Sequence, residues 1–241
     1  MTRATISLSG ELVLAWNFSL CSRQRNGTWQ TQTQRISPCP LLWGTCLGLE
    51  LLTVLTAKKW NLANTDSENL TLPLTLAAGY EDSRIFENMP NNILNYLRWE
   101  PVTQNNHQYS ILVKDFKAIS ELSNFYKILA TNHGRDNLEF VSLMEAYHYP
   151  IYASQWHPEK NVFKWSTGKA VNHDFHAIRV TQYMANFFVN EARKNNHHFD
   201  SPDEEAKEMI ENDLRVFIPD HEFSEEYYFN DTQTRSSLLA V

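Results

Sequence analysis

The sequence predicts an α/β domain, on three observations: a strand, tight turn and helix at 41–55, an antiparallel meander at 126–155, and a long amphipathic helix at 173–194. Leu41, Leu42 and Trp43 form a short apolar run. Gly44-Thr45-Cys46-Leu47-Gly48 supplies the turn, and Leu47, Leu51, Leu52 and Leu55 set one face of the helix that follows. Leu70, Leu72, Leu74 and Leu76 alternate with Thr71, Pro73 and Thr75, a half-buried strand that Pro73 confines to an edge or a bulge. A short helix near Asn92 to Leu97 and a strand from Tyr109 to Val113 come next. The meander runs Lys127 to Thr131, a turn at Asn132-His133-Gly134, Leu138 to Met144, a bend at Pro150, then Ile151 to Gln155. Ala177, Val180, Met184, Phe188 and Ala192 recur at helical spacing, with Arg193 and Lys194 favouring the negative end of the helix dipole. Residues 1–39 read as a divergent, weakly ordered segment. Residues 201–241, carrying Asp203-Glu204-Glu205 and Glu225-Glu226, read as an acidic, solvated tail with one short helix from Glu204 to Leu214.

Composition narrows the function classes. The 241 residues carry 21 Lys plus Arg against 28 Asp plus Glu, a net charge of −7, and the basic residues are scattered, which argues against a nucleic-acid binder. No apolar run approaches the ~20 residues that span a bilayer. Glu11 and Asn17 interrupt the apolar stretch near the start, so no signal peptide is read. Three cysteines, Cys21, Cys39 and Cys46, exclude a disulfide scaffold. Sequons begin at Asn17, Asn26, Asn69 and Asn230. Seven glycines are few for an α/β enzyme.

Two short motifs carry chemistry. Cys46 sits in Gly-x-Cys-x-Gly between a strand and a helix, the geometry of a nucleophile elbow, where a helix N-terminus favours thiolate over thiol. The plainer reading is a buried small hydrophobe, the commonest fate of a free cysteine. In His157-Pro158-Glu159, Pro158 biases His157 toward extended geometry, in which Glu159 falls on the same side as His157. A carboxylate on one ring nitrogen would fix the tautomer and leave the other to take a proton from Cys46, as in a triad. Taken singly, that tripeptide is more often a surface turn. His173 and His176, and the adjacent His197 and His198, lack partners at zinc-ligand spacing, so no metal and no cofactor are expected.

Taken together, Trp43-Gly-Thr-Cys46-Leu-Gly-Leu-Glu50, Gln155-Trp156-His157-Pro158-Glu159-Lys160 and the segment Phe187 to Phe199 resemble the gamma-glutamyl hydrolases of the class I glutamine amidotransferase-like superfamily. The resemblance runs from about Pro40 to about Phe199. It implies a flavodoxin-like three-layer sandwich with a mainly parallel sheet, helices on both faces and an antiparallel meander before the histidine, the catalytic domain occupying 40–200. It implies cleavage of gamma-glutamyl bonds of folate polyglutamates through a thioester, with Cys46 as nucleophile, His157 as base and Glu159 as third member. His107 matches a histidine near the substrate; Ser110 and Phe116 match without a role. Lys160 and Lys164 could meet the carboxylates of a polyglutamate tail, although exposed lysines usually only solubilise. A lysosomal or secreted, glycosylated protein is implied, with room for a homodimer.

The departure from the family is at the front, where residues 1 to 39 match neither the first strands nor the Pro-Gly-Gly strand end. The Leu47 N–H is one oxyanion donor; the second, from an upstream loop, has no candidate, and losing one donor typically costs about 100- to 1000-fold in turnover. Two other readings stay open: a glutaminase feeding ammonia to a separate synthetase, and a truncated, non-catalytic product.

Overall fold

The computed structural model describes residues 6–7, 41–165, 168–195, 198–217 and 225–228. Cys21, Cys39, His197 and the sequons at Asn17, Asn26 and Asn230 lie outside them, as do most of the 1–39 segment and the end of the acidic tail. The chain forms two compact units, Met1–Leu12 with Asn196–Val241, and Val13–Asn195.

In the first unit, β1 (Ile6–Ser7) is one of three antiparallel strands. In the second unit, β2 (Leu42–Thr45) enters α1 (Leu47–Ala57) through the single residue Cys46. There follow β3 (Ala63–Leu72), β4 (Thr75–Leu76), α2 (Asn91–Trp99), β5 (Thr103–Ser110), α3 (Val113–Ala118) and α4 (Ser120–Ser123). The meander is β6 (Tyr126–His133), β7 (Glu139–Ala146) and β8 (Ile151–Ser154), and the unit closes with α5 (Lys160–Phe163) and α6 (Phe175–Ala192). Back in the first unit come α7 (Pro202–Lys207), β9 (Leu214–Phe217) and β10 (Glu225–Tyr228), with β10 pairing β9 on one side and β1 on the other. Ser201 caps α7 by accepting a hydrogen bond from the Glu204 N–H, with Pro202 opening the helix, so the predicted helix starts earlier and stops at Lys207; the strand β9 follows it.

The central sheet has the order β2-β8-β7-β6-β4. Only β2 and β8 run parallel; β8, β7, β6 and β4 alternate. The expected three-layer α/β arrangement and meander are present, but the sheet is mixed and not mainly parallel. Short connections force this, because a parallel neighbour needs a crossover of a dozen or more residues, and β6, β7 and β8 are joined by tight turns. Asn137, with φ of 60°, makes the β6–β7 turn, and its N–H returns to the Gly134 carbonyl. Helices cover both faces: Leu49 and Leu52 of α1 and Phe116 and Leu122 pack on one side with Val141 and Ile151, while Ile93 and Leu97 of α2 and Val180 and Met184 of α6 pack on the other with Leu143 and Tyr152.

Three sequence expectations are corrected. The buried face of α1 is Leu49 and Leu52; Leu47 and Leu55 are exposed, since the elbow fixes the helix's rotation and turns Leu47 outward. The Leu70–Leu76 alternation spans two strands in two sheets: Pro73 cannot donate to a ladder, and the chain breaks there, leaving β3 paired with β5 and β4 at the edge of the central sheet. The strand expected at Tyr109–Val113 is β5, which starts six residues earlier and ends at Ser110; Val113 already begins α3. Polar Thr103-Gln104-Asn105-Asn106 hid that strand from a hydrophobicity reading.

Candidate active site

Cys46 stands at the strand-to-helix corner with φ of 52° and ψ of −108°, a backbone conformation that a side chain rarely adopts. Two neighbours hold it there. Its N–H donates to the Ser154 carbonyl at 2.7 Å, extending the β2–β8 pairing by one residue. Gly44 lets α1 come close: a Cβ at that position would lie 2.8 Å from the Gly48 carbonyl carbon and 2.9 Å from its oxygen, both backbone atoms. The sulfur is buried, and the positive end of the 11-residue α1 favours its ionised form. As the first residue of α1, Leu47 has an N–H with no intrahelical acceptor, the property an oxyanion donor needs; its side chain points to solvent.

Because β2 and β8 are parallel neighbours, the residues after each strand emerge at the same end of the sheet. Gln155, Trp156 and His157 follow β8 and are fully buried. The His157 N–H donates to the Gln104 carbonyl on β5 at 2.9 Å, and Thr181 of α6 donates to the Pro158 carbonyl at 2.6 Å, so a strand and a helix together fix this turn. His157 Nδ1 lies 2.8 Å from Glu159 Oε1, while Nε2 is buried with no hydrogen-bond partner among the described residues. With the carboxylate on Nδ1, the ring presents Nε2 as its proton-accepting atom. Lys160 opens α5 directly after Glu159 and is half-buried, as is Lys164 beyond it.

His107 sits on β5 opposite Ser67 of β3 and is buried. Its Nδ1 is 3.0 Å from the Tyr109 carbonyl and 3.2 Å from Ser110 Oγ, and Nε2 is 3.2 Å from Asn105 Oδ1. Burial pulls its pKa from 6.5 to about 4; the Tyr109 carbonyl opposes that shift and the electrostatic influence of His157 adds to it, so the two imidazoles are coupled. Phe116 is buried in the core under α1, with Leu49 and Leu52.

His173 and His176 do not converge. The first bonds the Asn161 carbonyl and stacks on Trp165; the second pairs with Glu100 at 2.8 Å and stacks on Tyr96. No group of three His, Cys, Asp or Glu side chains among the described residues is arranged to hold a metal ion. Nor is any described helix long and apolar enough to cross a membrane.

Two residues at the site had no role assigned from sequence. Gln155 Nε2 lies 2.9 Å from Glu50 Oε1 and 4.0 Å from Cys46 Sγ. The signal was spacing: Glu50 is four residues past Cys46, one helical turn on, and Gln155 is two before His157, on the same side of an extended chain.

No family model matches the chain. Among curated proteins, gamma-glutamyl hydrolase B of Dictyostelium discoideum is 41% identical over 197 residues, covering 81% of this chain and 57% of its own length. Gamma-glutamyl hydrolase of Homo sapiens is 44% identical over 169 residues, 70% of this chain and 53% of its own. That of Rattus norvegicus is 40% identical over 190 residues, 78% and 60% respectively. The chain thus spans little more than half the length of these relatives. Among solved structures, a GMP synthase component from Thermoplasma acidophilum aligns over 64% of this chain and 58% of its own at 16% identity, with a TM-score of 0.33, too slight a likeness to bear on the fold.

Proposed function

We propose, from the premise that this chain is a relative of the gamma-glutamyl hydrolases, that it hydrolyses gamma-glutamyl bonds of folate polyglutamates through a thioester on Cys46. The observation that carries the reading is the placement, at the same end of two parallel strands, of a strained elbow cysteine and a buried histidine held by a carboxylate. In this mechanism His157 takes the Cys46 proton at Nε2, and the thiolate attacks the gamma-carbonyl carbon. The Leu47 N–H donates to the oxyanion. Collapse of that intermediate breaks the C–N bond as His157 returns the proton to the leaving amine; water, deprotonated by the same ring, then releases the shortened product and restores the thiol. Glu159 orients the ring and stabilises its charged form. His107, tied to Asn105 and Ser110 and sensing His157, lies toward the substrate side, and Lys160 and Lys164 receive the carboxylates of the polyglutamate tail. The relatedness also supports a lysosomal or secreted location.

Incubating the purified chain with a pteroylpolyglutamate and following chain length by chromatography tests the reading. Shortening that is lost in Cys46→Ala is expected. No shortening beside an active full-length relative would remove the activity from this chain. Ammonia release from free glutamine that rises when a separate synthetase is added would replace hydrolysis with the glutaminase reading.

A further inference from the structure

Gln155 is fully buried, and its carboxamide is used one-sidedly: the nitrogen faces two groups, while Oε1 has no partner among the described residues. Both groups it faces can be anions. Glu50 is a buried carboxylate on α1, and Cys46 is the cysteine for which the helix end favours thiolate. Two like charges at one site push each other's pKa values toward the neutral form, so a carboxylate beside Cys46 works against thiolate formation. A primary amide carries two N–H donors splayed about 120° apart, one for each anion.

We propose that Gln155 is a positioning residue that lets Cys46 and Glu50 be ionised together, one amide proton on the Glu50 carboxylate and the other reaching the sulfur once it becomes thiolate. At 4.0 Å the N···S contact is at the outer reach of a hydrogen bond to a neutral thiol and shortens when the charge forms. Turning the amide over would set Oε1 against the Glu50 carboxylate, which fixes the orientation. The Gln155 N–H, bonded to the Ser142 carbonyl at 2.9 Å, anchors the backbone from which the amide projects. Among the described residues, His157 with Glu159 follows β8 at the same end of the sheet as Cys46, and His107 on β5 is coupled to His157; Glu50 is the carboxylate on which Gln155 places its other amide proton.

The inference rests on Cys46 being the activated thiol, and its test separates the two. The rate of iodoacetamide modification of Cys46 is followed from pH 4 to 9, the site resolved by mass spectrometry, in the wild type, Gln155→Met, Gln155→Glu, Glu50→Gln and the double variant Gln155→Met/Glu50→Gln, each checked for folding by circular dichroism. Gln155→Met, close in volume, is expected to raise the thiol pKa by about one unit, a roughly tenfold slower reaction at pH 6, and Gln155→Glu to raise it further. Adding Glu50→Gln to Gln155→Met is expected to recover most of the lost rate, because the charge that needed offsetting is gone; a role confined to packing would give no such rescue. Glu50→Gln alone is expected to lower the thiol pKa. Equal pKa values for the wild type and Gln155→Met, or no rescue in the double variant, overturn the inference while leaving Cys46 activated. A wild-type Cys46 that titrates like an ordinary thiol overturns both.

Discussion

Acidification should destabilise the chain through His107, and the size of the effect follows from its surroundings. In the folded protein, burial holds its pKa at about 4, against 6.5 in an unfolded chain. Above pH 6.5 both states carry a neutral ring, and His107 contributes nothing to pH dependence. Between pH 6.5 and about 4 the unfolded chain binds a proton that the folded chain does not, so stability falls as pH falls. The gap corresponds to about 3 kcal/mol in full, at about 1.4 kcal/mol per pH unit; below pH 4 both states are protonated and the loss stops growing. Chemical denaturation at pH 7, 6, 5 and 4, compared with His107→Gln, isolates this contribution. The variant keeps a polar side chain of similar reach beside Asn105 and Ser110 but cannot titrate. The wild-type curve should descend more steeply than the variant's by about 3 kcal/mol across the range, whatever constant offset the substitution brings. Parallel curves would refute the reasoning and show that the acceptors at Tyr109 and Asn105 hold a proton on the folded ring.

Gly44→Ala should lower stability by roughly 1–3 kcal/mol, a melting-temperature drop of several degrees, because the new methyl meets the Gly48 backbone, and it should slow Cys46 alkylation by tilting α1; an unchanged melt would contradict the close approach. Cys46→Gly should be more stable than Cys46→Ala by about 1 kcal/mol, since only glycine relaxes at φ of 52°, and equal denaturation midpoints would count against strain at the elbow. In steady-state assays His157→Ala should reduce kcat by roughly 1000-fold or more and Glu159→Ala by roughly 10- to 100-fold, because the carboxylate acts through the ring. A larger loss at Glu159 than at His157 would reverse those roles.

The elbow and the histidine turn were legible in sequence because each is local: glycines spaced around one cysteine, and a proline that sets the residue before it. The meander was legible from alternation bounded by turn residues. What escaped is non-local. The polar β5 is buried by the partners it meets, with the His157 N–H donating to the Gln104 carbonyl, Thr65 bonded to Ser110 and Asn161 donating to the Val102 carbonyl just before the strand, and no hydropathy pattern announces such a strand. The rotation of α1 depends on how closely Gly44 lets it approach, which leucine spacing alone does not encode. Gln155 and Glu50 lie 105 residues apart in sequence and meet only through the β2–β8 pairing.

The proposed chemistry turns most directly on the fate of the Cys46 sulfur during catalysis. A single-turnover reaction with a pteroyldiglutamate, quenched in acid at successive times and digested for mass spectrometry, should show the pteroylglutamyl mass appearing on the Cys46 peptide as free glutamate is released, then decaying as the product forms. Product formation with the Cys46 peptide unmodified at every time, persisting in Cys46→Ala, would contradict it.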